Sequence, residues 1–215
     1  MIRARAQARR GTVARTDNHG QQGQSLVEFA LILPVFLMLL LGLVEFGFVF
    51  AHYQGLEYAT REGARTASAL ANGQNGQNGA PVGTACTTID DQVIAAVQRV
   101  ITGTGSLLVL ANVSQIRIYK YDDATSAPAT PATSNVDVWT PASSGTSVVD
   151  GTALKFKRTS GTWDACNRLN GLTPDSVGVD VTYSYTFATG LGSLLRWAGV
   201  TSLPMTDSTV MVLNP

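Results

Sequence analysis

The chain has 215 residues, 45% apolar and 14% charged, with 15 basic and 15 acidic side chains. That length suits one moderate domain with an appendage; the low charge argues against a solvated, disordered chain, and zero net charge offers no general field to hold nucleic acid. Two Cys and two His are too few for a four-cysteine zinc site, and neither HExxH nor CxxC occurs, so neither metal nor cofactor is expected.

The zero conceals an asymmetry. Residues 1–23 carry Arg3, Arg5, Arg9, Arg10 and Arg15 against Asp17, so the remainder holds 10 basic and 14 acidic residues. Behind this basic leader, Phe29 to Val44 pass without a charge (FALILPVFLMLLLGLV), and after Glu45 the apolar character resumes over Phe46–Ala51. The 23 residues make about 34 Å of helix, against a hydrocarbon core of about 30 Å. The expectation is a transmembrane helix over about 29–51. Five Arg before it, and no basic residue between it and Arg61, predict an inner-membrane, single-pass protein with a cytoplasmic N-terminus and a periplasmic C-terminal part. A secretory signal peptide would need a cleavage site close behind the run, and Ala67-Ser68-Ala69 lies too far beyond Ala51. An uncleaved anchor and a prepilin leader remain.

The junction decides between them. It reads Gly23-Gln24-Ser25-Leu26-Val27-Glu28-Phe29, a Gly, four residues and a Glu at the mouth of an apolar helix. This resembles the processing site of type IV pilins, in which a membrane peptidase cuts after the Gly. Over residues 23–69 the resemblance narrows to the TadE-like family of Flp/Tad pilus-assembly proteins, through G-Q-x-L-V-E-F-A at 23–30, Pro34, G-L-V-E-F-G at 42–47 and A-x-R-E-G-A-R at 59–65. The resemblance implies cleavage between Gly23 and Gln24, and pairing of Glu28 with a neighbouring subunit's free N-terminal amine. It implies a non-enzymatic, pseudopilin-like minor subunit or assembly factor of a type IVb pilus. The implied partners are a prepilin peptidase, other pilin-like subunits, the inner-membrane assembly platform and membrane lipid; entry into a cell-surface pilus would follow for a subunit. The alternative is an uncleaved single-pass envelope protein whose exported domain binds something unrelated to pili. Read on its own chemistry, Glu28 is also an acid at the positive end of a helix dipole.

Glu45 admits two readings. Either the helix tilts and the carboxylate reaches the outer headgroups beside His52 and Tyr53, or it contacts a partner helix within the membrane. Pro34 removes one helix hydrogen bond and predicts a kink, while Gly42, Gly47 and Gly55 mark a side for close packing. From His52 to Leu70 no Pro interrupts, Glu57 and Arg61 form an i,i+4 ion pair in the better orientation, and Ala71-Asn72-Gly73 is a natural stop. Residues 24–71 are therefore expected as one long helix, with 72–87 (including GQNGQNGAP) as a flexible linker.

The remaining 88–215 is expected as an exported domain. Val93, Ile94, Val97, Val100 and Ile101 recur at helical spacing behind Thr88 and the acids Asp90 and Asp91, so 89–102 reads as an amphipathic helix. Strand candidates follow at 107–121, 152–158, 177–187 and 207–213, the clearest being Val177–Phe187 with strict alternation. Residues 122–150, dense in Ala, Thr, Ser and Pro, read as a long low-complexity loop. Leu191–Val200 reads as a core helix, with the outer membrane interface as the alternative because of Trp197. Cys86 and Cys166, both exported, are expected to form a disulfide worth about 4.5 kcal/mol in the loop-entropy model, against the alternative of two buried thiols. The fold class is α+β: a long N-terminal transmembrane helix extended into the periplasm, then a small domain with one helix and an antiparallel sheet. No catalytic constellation is found; His19 lies in the leader and His52 at the membrane edge, and no phosphate loop or nucleophile elbow is present.

Overall fold

The computed structural model describes residues 19–70, 88–121, 135–169 and 174–213. Helix α1 runs His19–Leu70, through Pro34. It begins five residues earlier than the expected start at Gln24, because a helix once nucleated extends cheaply into polar residues that contain no Pro. The chain divides into a unit ending at Gly42 and a second beginning at Leu43. In the first, the large apolar side chains from Leu26 to Leu40 are exposed, except the half-buried Leu33. A helix with no buried apolar face in its own unit has no reason to be stable in water, and every reason to be so in lipid.

The second unit is α+β. Helix α2 (Ile89–Thr102) is followed by a 3₁₀ turn at Leu110–Asn112 and by strands β1 (Val113–Tyr121), β2 (Val136–Pro141), β3 (Val148–Val149), β4 (Thr152–Ala153), β5 (Phe156–Gly161) and β6 (Ser176–Tyr185). Helix α3 (Leu191–Trp197) and strand β7 (Leu203–Val212) close the unit. Five strands form one antiparallel sheet in the order β5-β2-β1-β6-β7, while β3 and β4 form a separate small hairpin. β1 and β6 are central, with Ile116 opposite Val181 and Ile118 opposite Val179.

One face of the sheet is covered by α2 and by the part of α1 that lies in this unit. The alternation seen in the sequence places Val177, Val179, Val181, Tyr183 and Tyr185 on that face, all of them buried. Val93, Ile94, Val97 and Ile101 of α2 and Leu56, Ala59, Ala64 and Ala67 of α1 complete the core. Contacts between α1 and β6 run in opposite directions along the two elements. Glu45 meets Tyr185, the His52 ring meets Tyr185 and Tyr183, and Gly63 approaches Val179.

Two expectations are corrected here. The loop expected over 122–150 contains β2 and β3, although 122–134 lie outside the described residues. Strand β2 buries Asp137 and Trp139 and leaves Val136, Val138 and Thr140 half-buried, a short signal submerged in Ala, Ser and Thr. The β3–β4 hairpin turns at Asp150-Gly151, both at positive φ (48° and 75°), as a two-residue turn between twisted strands requires. Finally, α3 is not a core helix: only Gly192 is buried, and Trp197 is 92% exposed. The expected linker 72–87 and most of the leader lie outside the described residues.

Candidate functional site

Most residues singled out in the sequence lie on α1, so the candidate site is followed along that helix. At its start Gln24 donates a hydrogen bond from Nε2 to Glu28 Oε1 at 3.0 Å, on an exposed surface. A Cβ added to Gly23 would meet nothing within 4 Å. The chain's own packing thus supplies no reason for glycine at that position.

Twenty-two residues further on, the expectations for Glu45 are corrected. Its carboxylate is neither at large among headgroups nor turned to a foreign helix. It is 4% exposed and held by its own chain. The Tyr185 hydroxyl at the end of β6 donates to Oε1, as does the Ala188 amide at 2.9 Å, and the Thr189 amide donates to Oε2 at 2.9 Å. Three donors on two oxygens leave the charge well satisfied without a cation. Burial, with the Glu45 carboxylate alongside, pushes the Tyr185 hydroxyl up to about 12, so it stays protonated and remains a donor. The His52 ring donates from Nδ1 to the Phe48 carbonyl at 2.7 Å and sets its edge against Tyr185 at 4.8 Å between centroids.

The segment 59–65 has a packing role. Ala59 and Ala64 are fully buried, and a Cβ on Gly63 would stand 2.7 Å from Val97 Cγ2 and 3.1 Å from Val179 Cγ1. Glycine at 63 lets α1 lie against α2 and β6 at once. Of the glycines expected to mark a packing side, Gly55 touches Leu108, whereas added Cβ atoms at Gly42 and Gly47 would meet nothing within 4 Å. On the outward side Arg61 pairs with Glu57 and Arg65 with Glu62, the latter at 2.6 Å. The buried Thr60 hydroxyl donates to the Asp207 carboxylate and lies 3.1 Å from the Thr209 hydroxyl, tying α1 to β7.

Residues 23–65 match the family model described as TadE-like protein. The stretch is TadE-like. The match implies a role related to the Tad pilus, and it ends at Arg65, where α1 has just been locked onto α2 and β6. Among the described residues one helix, Gly23–Leu70, which contains the TadE-like stretch, is long and apolar enough to cross a membrane, consistent with membrane anchoring. No curated protein and no solved structure matches the chain.

Beyond the TadE-like stretch, buried charges link the strands of the sheet to one another and to α2. Arg168 lies 2.6 Å from Asp90 and 3.5 Å from Asp137, over the Trp163 ring, and Arg158 joins Asp137 to Asp164. Asp90 is thus an ion-pair partner as well as a first-turn acid of α2, which its place in the sequence did not reveal. Burial raises the Asp137 carboxyl above its usual range, helped by the neighbouring Asp90 and opposed by the Trp163 amide and Arg158. Arg117 grips Asp180 with Nε at 2.7 and 3.0 Å. A cavity of about 400 Å³ has a mixed-charge wall that includes Asp91, Ser147, Lys157, Arg158, Asp164 and Cys166. Among the described residues no three metal-ligating side chains come together. Cys166 is not a free thiol; Cys86 lies outside the described residues, and so does the geometry of the expected bridge.

Proposed function

We propose that the chain is a non-enzymatic, pseudopilin-like minor subunit or assembly factor of a Flp/Tad-type pilus, held in the inner membrane by α1 and trimmed of its leader after Gly23. The observation that carries this reading is the TadE-like stretch 23–65, which begins at the Gly and includes an apolar helix exposed on all sides. Gly23 has no packing role within the chain, and a residue without Cβ suits a peptidase that must approach the backbone closely. Once the leader leaves, Gln24 carries a free amine, and Glu28 is the nearest carboxylate for such an amine on a neighbouring subunit. The partners are then a prepilin peptidase, other pilin-like subunits, the assembly platform and lipid. The exported part faces the periplasm, where Cys86 and Cys166 join in a disulfide.

Mass spectrometry of the N-terminus of protein from native membranes tests the processing. The expected mature chain begins at Gln24, and Gly23→Leu should leave the leader attached. A chain beginning at Met1 would favour the uncleaved anchor, and one beginning at Leu70 would favour a secreted domain.

A further inference from the structure

Glu45 sits at a depth that matters. Sixteen uncharged residues, Phe29 to Val44, precede it, whereas a helix needs about 20 residues to cross a hydrocarbon core. If α1 crosses the membrane as proposed above, the core extends past Glu45 to about Phe48. The carboxylate therefore lies just inside the far boundary, and so do the groups bonded to it, Tyr185, Ala188 and Thr189.

The chain that follows is built for that place. Residues 187–205 (FATGLGSLLRWAGVTSLPM) hold one charge, Arg196. Leu194, Trp197, Val200 and Leu203 are exposed, Trp197 to 92%. On α1 at the same level Phe46 is 67% and Phe50 53% exposed. Beside them a mainly apolar groove of about 370 Å³ is lined by Phe46, Val49, Phe50, Leu203, Pro204 and Met205, together with Tyr53 and Thr206. In water such a surface would be costly; at a bilayer interface each part has a partner. Trp favours the headgroup level, Arg196 reaches phosphates while its stem lies along acyl chains, and the leucines enter the hydrocarbon.

We infer that residues 187–205, drawn down by the three hydrogen bonds to Glu45, rest on the lipid of the exported leaflet and form a second membrane contact beside α1. Lipid is the occupant because the patch is continuous with the α1 segment that enters the membrane. The inference rests on the proposed membrane-spanning α1, and the experiment separates the two.

Full-length protein is placed in phosphatidylcholine bilayers with or without brominated acyl chains, and tryptophan emission is compared between wild type and Trp197→Phe. Trp139 and Trp163 are buried and supply a common background. The expected result is that the Trp197 contribution is lost in brominated lipid and resists aqueous acrylamide. An unquenched Trp197 that acrylamide reaches would overturn the inference. Shielding from both quenchers would assign the patch to a second copy or another protein, and would overturn it too. Leu37→Trp in the Trp197→Phe background reports on the spanning helix. Bromolipid quenching there without quenching at Trp197 sinks the second contact alone, and none at either position sinks the anchor with it.

Discussion

Glu45 is an acid in an apolar run, and its three donors show how one residue couples a helix to a loop far away in the chain. Removing the carboxylate leaves the Tyr185 hydroxyl and the amides of Ala188 and Thr189 without an acceptor. Hydrogen bonds to a charged group contribute about 1.5–3 kcal/mol each, and unsatisfied donors add their desolvation cost. Glu45→Ala should therefore release the loop before α3. Hydrogen exchange at Ala188 and Thr189 is expected to accelerate strongly, while Glu45→Gln, which keeps one acceptor oxygen, retains much of the protection. Unchanged exchange in the alanine variant would remove Glu45 from this role.

Asp180 shows the opposite balance. Arg117 lowers its pKa, yet burial outweighs the pair and raises the carboxyl above its usual 3.8. The folded chain then binds a proton at a pH where the unfolded chain has lost it. Stability from this group is fully present below 3.8 and is lost as pH rises through the raised value. Asp180→Asn cannot take up that proton, so its unfolding free energy should gain less than the wild type's on acidification into the carboxylate range. Denaturant titrations at a series of acidic pH values measure the difference; parallel curves would contradict it. Glu62, lowered chiefly by its hydrogen bond from Arg65, works in the reverse sense, but solvent screens its pair with the exposed Arg65.

At the scale of elements, the crossing of α1, α2 and β6 depends on closeness. Val97 and Val179 stand where any side chain at 63 would go. Gly63→Leu should cost about 1–3 kcal/mol through overpacking, and Leu56→Ala, emptying a fully buried site, about 2–5 kcal/mol. Gly42→Ala meets no atom within 4 Å, has the better helix propensity, and should not destabilise the chain. Chemical unfolding of the full chain in detergent, followed by the near-ultraviolet signal of the buried tryptophans, compares the three. Equal stabilities for Gly63→Leu and the wild type would mean that α1 is free to shift.

For the whole molecule, membrane orientation and disulfide chemistry are one prediction. If the N-terminus is cytoplasmic, the second unit lies where thiols oxidise. Protein extracted from native membranes under non-reducing conditions should give a cross-linked peptide pair containing Cys86 and Cys166. Protease added to spheroplasts should degrade the C-terminal part. Protection of that part together with two alkylatable thiols would reverse the topology.

Local patterns carried much of this architecture. The apolar run, the helical spacing of Val93, Ile94, Val97 and Ile101, and the alternation through β6 each depend on near neighbours, and they are readable because period and burial coincide there. The family signature was legible for a similar reason, since Gly23, Glu28 and the segment 59–65 lie in one uninterrupted helix. What each signature residue touches was not. Glu45 finds its donors 140 residues and more along the chain, Thr60 finds Asp207 and Thr209, and Asp90 finds Arg168. Such pairs arise when the sheet brings distant strands beneath one helix, and no spacing in the sequence encodes them. The same holds for α3, whose apolar letters suit a core as well as an interface. Only the tertiary structure, which ties the loop before it to Glu45 on α1, shows Trp197 exposed.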